Sequence, residues 1–201
     1  MPTPLDTPIR LEIHPDGELT GGSGTYRKVL EDMASVYFDG EAYSTALRAQ
    51  GPRTVVYEVQ EQSYSRDVGA LTIGTSKVLP GLIGDEFAVT RGHLHAISDR
   101  AELYLCLSGH GVMLLETIDG DSQAIELTAG QAVNVPGQWL HRSVNVGTEP
   151  FVTLFTYASD AGQDYAIIAN AGGMKQRIVT DGHGGWLAVP NTRHRGYEVS
   201  S

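Results

Sequence analysis

Cysteine is almost missing from this chain, with Cys106 the only one in 201 residues. No disulfide framework can form within it, so the fold must rest on a hydrophobic core. A chain of this length buries roughly two-thirds of the surface it would expose when unfolded. The single cysteine also fits a reducing compartment better than a secreted scaffold. Long apolar runs are absent too, and none approaches the roughly 20 residues of a membrane span. Met1-Pro2-Thr3-Pro4-Leu5-Asp6 offers neither the basic start nor the apolar stretch of a signal peptide. We therefore expect a cytoplasmic protein with no membrane partner. Bases are scarce as well: 14 Lys and Arg stand against 24 Asp and Glu, a formal charge of −10. Without a basic face the chain has no means of holding nucleic acid. The same balance repels small anions at long range, so any phosphate site must depend on a few local donors.

Glycine and proline are what the sequence has in quantity, 24 and 9 of them, set between short apolar runs. That pattern predicts many short strands and tight turns. Residues 1–25, rich in Pro, Thr and Gly, are expected to run extended or irregular across the body of the fold. Asp39 is placed to N-cap a helix from Gly40 to Gln50 that stops at Gly51-Pro52. Strands are expected at Thr54–Val59, Leu71–Leu79, Phe87–Ile97, Glu102–Leu107, Val112–Thr117, Ala124–Leu127, Ala132–Val135, Arg142–Val146 and Phe151–Ala158. Turn signals such as Pro80-Gly81, Asp119-Gly120, Gly130 and Pro136-Gly137 separate several of them. Regular short strands without intervening helices point to an all-β barrel or sandwich. The expected division is an N-terminal extension at 1–52 packing on the barrel, a barrel at 53–179 and a polar, glycine-rich tail at 180–201.

Gly92-His93-Leu94-His95 is the strongest local signal. Side chains two apart share one face of a strand, so two imidazoles can stand side by side. Glu102 follows at a distance that a hairpin can fold back beside them, and Val135-Pro-Gly-Gln-Trp-Leu-His141 delivers a third imidazole. Three neutral imidazoles and a carboxylate suit divalent Fe, Mn, Ni, Co or Zn, with open positions left for substrate oxygens. Taken alone, a His-x-His pair can equally face solvent; the residues around it decide. If Glu102 points inward, so do Tyr104 and Cys106, while Leu103, Leu105 and Leu107 form an opposite apolar face. That face needs a cover, either the N-terminal segment or a second subunit. Cys106 reads as a small buried hydrophobe. His14, His110, His183 and His194 read as surface residues.

Glu102 and Gly109 close one block, and Gly130, Pro136, His141 and Asn145 form a second. Together they resemble the paired motifs of the cupin superfamily, G-x5-HxH-x3,4-E-x6-G and G-x5-PxG-x2-H-x3-N. The chain departs from them by a gap of six residues between His95 and Glu102, by Phe87 in the place of the first glycine and by Gly137 one position early. The longer gap belongs to one branch. From Arg53 to about Val179 the chain resembles the cupin-type phosphoglucose isomerases. The stretches that carry this are Val55-Val-Tyr-Glu-Val59, Thr90-Arg-Gly-His-Leu-His-Ala96, Asp99-Arg-Ala-Glu-Leu-Tyr104, His141-Arg-Ser-Val-Asn-Val-Gly147 and Tyr157-Ala-Ser-Asp-Ala-Gly-Gln-Asp-Tyr165.

The resemblance implies a jelly-roll-like double-stranded β-barrel with a short N-terminal helical or extended segment. It implies one divalent metal per chain, Fe2+ first among the candidates, on His93, His95, Glu102 and His141. It implies sugar-phosphate contacts from Tyr57, Ser76, Thr90, Gly92, Tyr104, Tyr157 and Tyr165, and a homodimer. The activity it implies is interconversion of glucose 6-phosphate and fructose 6-phosphate, a step of glycolysis and gluconeogenesis; Glu102 is the candidate catalytic base for a cis-enediol route, and a hydride shift that needs no base is the alternative. Strict alternation from His93 turns Thr90 and Gly92 away from the site, which a bulge at Gly92 would repair. Ser76 adjoins Lys77, a base within reach of a phosphate. Gln163 stands where family members carry histidine. Two rival readings use the same ligand set or fold, a metal-dependent dioxygenase and a non-catalytic sugar-binding cupin.

Overall fold

A computed structural model of the chain describes residues 7–198. In chain order it contains β1 (Glu12–Ile13), β2 (Leu19–Thr20), β3 (Gly24–Val29), a 3-10 turn (Leu30–Met33), α1 (Gly40–Gln50), β4 (Val55–Ser63), β5 (Leu71–Val78), β6 (Leu82–Ile83) and β7 (Glu86–Val89). It continues with β8 (Glu102–Ser108), β9 (His110–Thr117), β10 (Ser122–Thr128), β11 (Ala132–Val135), β12 (Trp139–Asn145), β13 (Phe151–Ala158), α2 (Ala166–Asn170), β14 (Gln176–Thr180) and β15 (Trp186–Pro190). The helix at Gly40–Gln50 starts where expected, with the Asp39 carboxylate accepting from the backbone N–H groups of Glu41 and Ala42.

Two antiparallel sheets form the barrel walls, one in the order β11-β8-β13-β5-β4-β3 and the other β10-β9-β12-β7-β14-β15, with β6 added on β7. Strands from β8 to β13 pass repeatedly from one wall to the other, which gives the all-β, cupin-type double-stranded barrel anticipated from the sequence. Phe151, Met113, Leu114, Leu140, Val112 and Val144 are fully buried in the hydrophobic core. Burying side chains of this size stabilises by about 1.5–3 kcal/mol each. Asn145 ties the walls together, its amide donating to the carbonyls of Val78 and Glu149.

Three expectations change. The strand expected over Phe87–Ile97 ends at Val89, and His93 and Leu94 make only isolated bridges, to His141 and Asp164. The cause is Gly92, whose φ of +73° breaks the pleat. Part of the N-terminal stretch is barrel wall itself, since β3 pairs along β4 from Gly24↔Glu61 to Val29↔Val55. The C-terminal stretch also docks, through β15 on β14 and through Tyr197, whose buried hydroxyl donates to Glu116. The extended path expected at residues 1–6 and the last residues of the tail, 199–201, lie outside the described residues.

Further along the N-terminal stretch, residues 14–20 cross the outer face of the β4 wall, with the Leu19 N–H donating to Gln60 Oε1 at 3.0 Å. They leave the outward face of β8 partly open: Leu103 is 40% exposed, and Leu105 and Leu107 are half-buried.

Candidate metal centre and substrate cavity

Glu102 opens β8 at the register point opposite Tyr157 of β13, which turns its carboxylate into the barrel. His141 lies on β12 of the facing wall. His93 and His95 reach the same point from the segment after Gly92, which the paired N–H and C=O groups of His93 and His141 hold against β12. A Cβ at residue 92 would lie 3.0 Å from the His141 carbonyl oxygen, so the approach requires glycine. Gly137 serves the same junction, since a Cβ there would sit 2.6 Å from the Asp99 carbonyl group.

The ligand-capable atoms of His93, His95, Glu102 and His141 all lie within 4.8 Å of one another. Glu102 Oε2 is 2.9 Å from His141 Nε2, 3.1 Å from His95 Nε2 and 3.9 Å from His93 Nε2. Backbone carbonyls fix two of the rings from behind: His95 Nδ1 lies 2.8 Å from the Arg100 oxygen, and His141 Nδ1 lies 3.0 Å from the Trp139 oxygen. With each Nδ1 turned to a backbone carbonyl, each ring points its Nε2 at Glu102. Carrying a proton, Nε2 donates to the carboxylate; once that proton leaves, its lone pair and the carboxylate oxygen are both free for a cation. His93 Nε2 makes the same case by itself, being buried with no hydrogen-bond partner among the described residues. The donor set therefore fits a divalent transition metal.

Charge in the cluster follows its geometry. Burial works against the Glu102 carboxylate, but hydrogen bonds from His141 and His95 overcome it and hold its pKa well below the usual range. Burial, with His141 nearby, pushes the His93 pKa well down, which keeps that imidazole neutral. At His95 burial is outweighed by the hydrogen bond to Glu102, and the pKa rises.

Beside the cluster lies a cavity of about 50 Å³ into which Tyr57, Ser76, Thr90, Gly92, Tyr104, Tyr157 and Tyr165 all face, together with His93, Glu102 and His141. Thr90 and Gly92 reach it because the left-handed turn at Gly92 undoes the alternation. Thr90 is also pinned, its hydroxyl accepting from the Ser143 N–H at 3.0 Å. The segment before α2 folds over the candidate ligands, held by reciprocal backbone bonds between Leu94 and Asp164. It brings the Tyr165 ring to 5.5 Å from that of His93. Gln163 bridges two tyrosines, donating to the Tyr157 hydroxyl at 3.3 Å and accepting from Tyr165 at 3.1 Å. Burial raises the pKa of Tyr57, Tyr104, Tyr157 and Tyr165, so all four remain hydroxyl donors near neutrality.

Some expectations fail here. Lys77 faces away from the site; it pairs with Glu58 across the sheet and lines an outer groove with Asp16 and Glu18. The bases near the site are Arg142, which lines the cavity itself, and Lys28, Arg66 and Arg91, around an adjoining cavity of about 660 Å³ that shares Tyr26, Glu61, Tyr157, Gln163 and Tyr165 with the first. Glu61 was legible, since it follows Tyr57 and Val59 on one face of β4. Tyr26 and Arg91 carried no local signal. Among the histidines read as surface residues, only His183 is fully exposed. His194 is half-buried, its ring packing on Tyr197 and its Nδ1 2.9 Å from the Gly173 oxygen. Cys106 is buried, as expected.

A double-stranded antiparallel barrel with three histidines and one glutamate around a single point defines a cupin whose cluster could hold one metal ion. A family model described as Glucose-6-phosphate isomerase (GPI) matches residues 27–195. A glucose-6-phosphate isomerase of Sinorhizobium medicae is 47% identical over 179 residues, 89% of this chain and 83% of that one. One from Pyrococcus furiosus is 41% identical over 177 residues, 88% of this chain and 91% of its own. The chain belongs to the glucose-6-phosphate isomerase family. Among solved structures, a recombinant oxalate oxidase in complex with glycolate overlaps 56% of each chain at 15% identity and a TM-score of 0.47, too loose a likeness to bear on chemistry.

Proposed function

We propose that this protein is a metal-dependent aldose-ketose isomerase that interconverts glucose 6-phosphate and fructose 6-phosphate. The observation that carries this reading is the three-histidine and glutamate cluster opening on a tyrosine-lined cavity, in a chain whose relatives are named for that activity. His93, His95, Glu102 and His141 hold one divalent metal, Fe2+ first, with Mn2+, Ni2+, Co2+ and Zn2+ suited to the same donors. When bound, such a cation acidifies the C–H beside the substrate carbonyl and stabilises developing negative charge on oxygen.

The chain's own residues do the rest. Glu102, kept ionised, accepts the proton from one of C1 and C2 and returns it to the other along a cis-enediol route. A hydride shift is the rival route and needs no base. Tyr104, Tyr157 and Tyr165 orient sugar hydroxyls and phosphate, and Tyr57, Ser76, Thr90 and the Gly92 backbone receive the phosphate end. Neutral hydroxyls suit this task in a chain of net charge −10, because they bind the anion without adding a charge that must itself be buried. The partly open Leu103 face supports pairing of two copies as a homodimer. The single cysteine supports a cytoplasmic location.

Substrate choice tests the proposal. Fructose 6-phosphate should turn over far better than fructose, because phosphate contacts are spent on holding the reacting end in place. Equal rates on both sugars would leave Tyr57, Ser76 and Tyr165 without a task and point to a free-sugar isomerase.

A further inference from the structure

Alternation along β12 sends Arg142 the opposite way from His141. Its side chain enters a second cavity, of about 190 Å³, whose lining includes Arg142, Arg177, Arg193, Phe38 and Glu86. Three arginines line it, in a chain that has 14 Lys and Arg in all. Arg142 is only 7% exposed. One of its terminal nitrogens donates to the Arg91 carbonyl at 2.7 Å, but its Nε is buried with no hydrogen-bond partner among the described residues. Arg177 Nε is in the same condition. The guanidinium carbons of Arg177 and Arg193 both lie over the Phe38 ring, 4.2 and 4.4 Å from its centroid.

The nearby carboxylates do not satisfy these donors. Glu116 is occupied by the N–H groups of Lys175 and Gln176 and by the Tyr197 hydroxyl. Glu86 accepts from the Phe38 N–H and stands 3.7 Å from Arg177. Asp85 touches Arg177 only at 3.4 Å, from an exposed position. One carboxylate in the lining faces three guanidinium groups, and two buried charged N–H donors are left without an acceptor, which is costly unless something supplies one.

We propose that this cavity binds a small tetrahedral oxyanion of the phosphate class, free phosphate or the phosphate group of a small ester, at a site separate from the substrate cavity. Such an ion offers several acceptor oxygens to the forked donors of arginine, the geometry for which guanidinium groups are suited. Arg142 also lines the substrate cavity, so the two sites share one wall.

The test is calorimetric titration of the metal-loaded protein with inorganic phosphate and, separately, with glycerol 3-phosphate. The parent is compared with Arg177→Gln plus Arg193→Gln and with Tyr165→Phe, which alters only the substrate cavity. One class of sites should weaken about tenfold or more in the glutamine pair and stay unchanged in Tyr165→Phe. Tighter binding of the ester assigns the site to phosphate esters, and equal binding assigns it to the free ion. Arg193 is exposed, so Arg193→Gln alone serves as the variant that keeps its fold if the pair does not, and it should weaken the same class. Arg177→Lys plus Arg193→Lys, which keeps the charge, should restore part of the binding. If the parent binds neither probe at millimolar concentration, or if the glutamine variants bind as the parent does, the cavity holds water and the proposal fails.

Discussion

Glu102 is asked to be a ligand and a base at once, and its surroundings let the two roles be separated. It is 97% buried, faces the substrate cavity and keeps its charge through His141 and His95. Glutamine is nearly isosteric and retains one oxygen for a metal, but it accepts no proton as a base. On the enediol route Glu102→Gln should lose turnover by about 10²–10⁴-fold. Metal content measured in the same sample separates this from loss of the cation. Deuterium at C2 of glucose 6-phosphate reads the route directly: exchange through a base washes label into water, and a hydride shift carries it to C1. Parental turnover with the label retained would make Glu102 a ligand only. Gly92 supports a second prediction. At φ +73°, with the His141 oxygen 3.0 Å from any added Cβ, Gly92→Ala should cost on the order of 1–3 kcal/mol in chemical denaturation. The same variant should bind metal more weakly, because the His93–His141 bridge is what the side chain disturbs.

At the scale of elements, the loop between His95 and Glu102 decides how well one ligand is aimed. The Arg100 carbonyl orients His95, while the Arg100 guanidinium is clamped by both Asp160 oxygens, at 3.1 and 2.7 Å. Asp160→Asn should therefore weaken metal binding, by about tenfold, with the ligands untouched. The Arg100 guanidinium holds the Asp160 pKa below the ordinary carboxylate value, which is about 3.9. The sign follows: the clamp's contribution is full above that ordinary value and disappears as pH falls through the lower folded one. Denaturation of metal-free protein across that window should show parent and Asp160→Asn converging as the pH drops. This clamp was not legible in the sequence, because Arg100 and Asp160 are 60 residues apart and neither belongs to a metal motif. The helix capped by Asp39 and most strands were legible, since capping and alternation are local. The strand over Phe87–Ile97 was misread because a single positive φ, which sequence alternation does not record, ends the pleat before the ligands. Lys77 was misplaced for the opposite reason: alternation does hold in β5, and it sends Lys77 outward if Ser76 faces in.

For the whole molecule, a metal held by the cluster would be linked to the fold, because the four candidate ligands come from both walls and from the segment between them. A cation bound only by the native state should stabilise it by about 2.7 kcal/mol at a free concentration 100 times Kd. For a chain of this size that is a rise in Tm on the order of 5–10 °C, checked by calorimetry of stripped and reloaded protein. The convergence of His93, His95, Glu102 and His141 was legible from spacing, whereas the cavity's remaining wall was not. Tyr26 enters from a stretch expected to lie outside the barrel, and Arg91 sits where alternation gives no direction. The most direct measurement is a coupled isomerase assay with fructose 6-phosphate on protein stripped of metal, then reloaded with each divalent ion in turn, beside His93→Ala plus His141→Ala. The account predicts little activity when stripped, recovery that saturates near one ion per chain, and neither metal nor activity in the double variant. Full activity in stripped protein, or unchanged metal content in that variant, would contradict it.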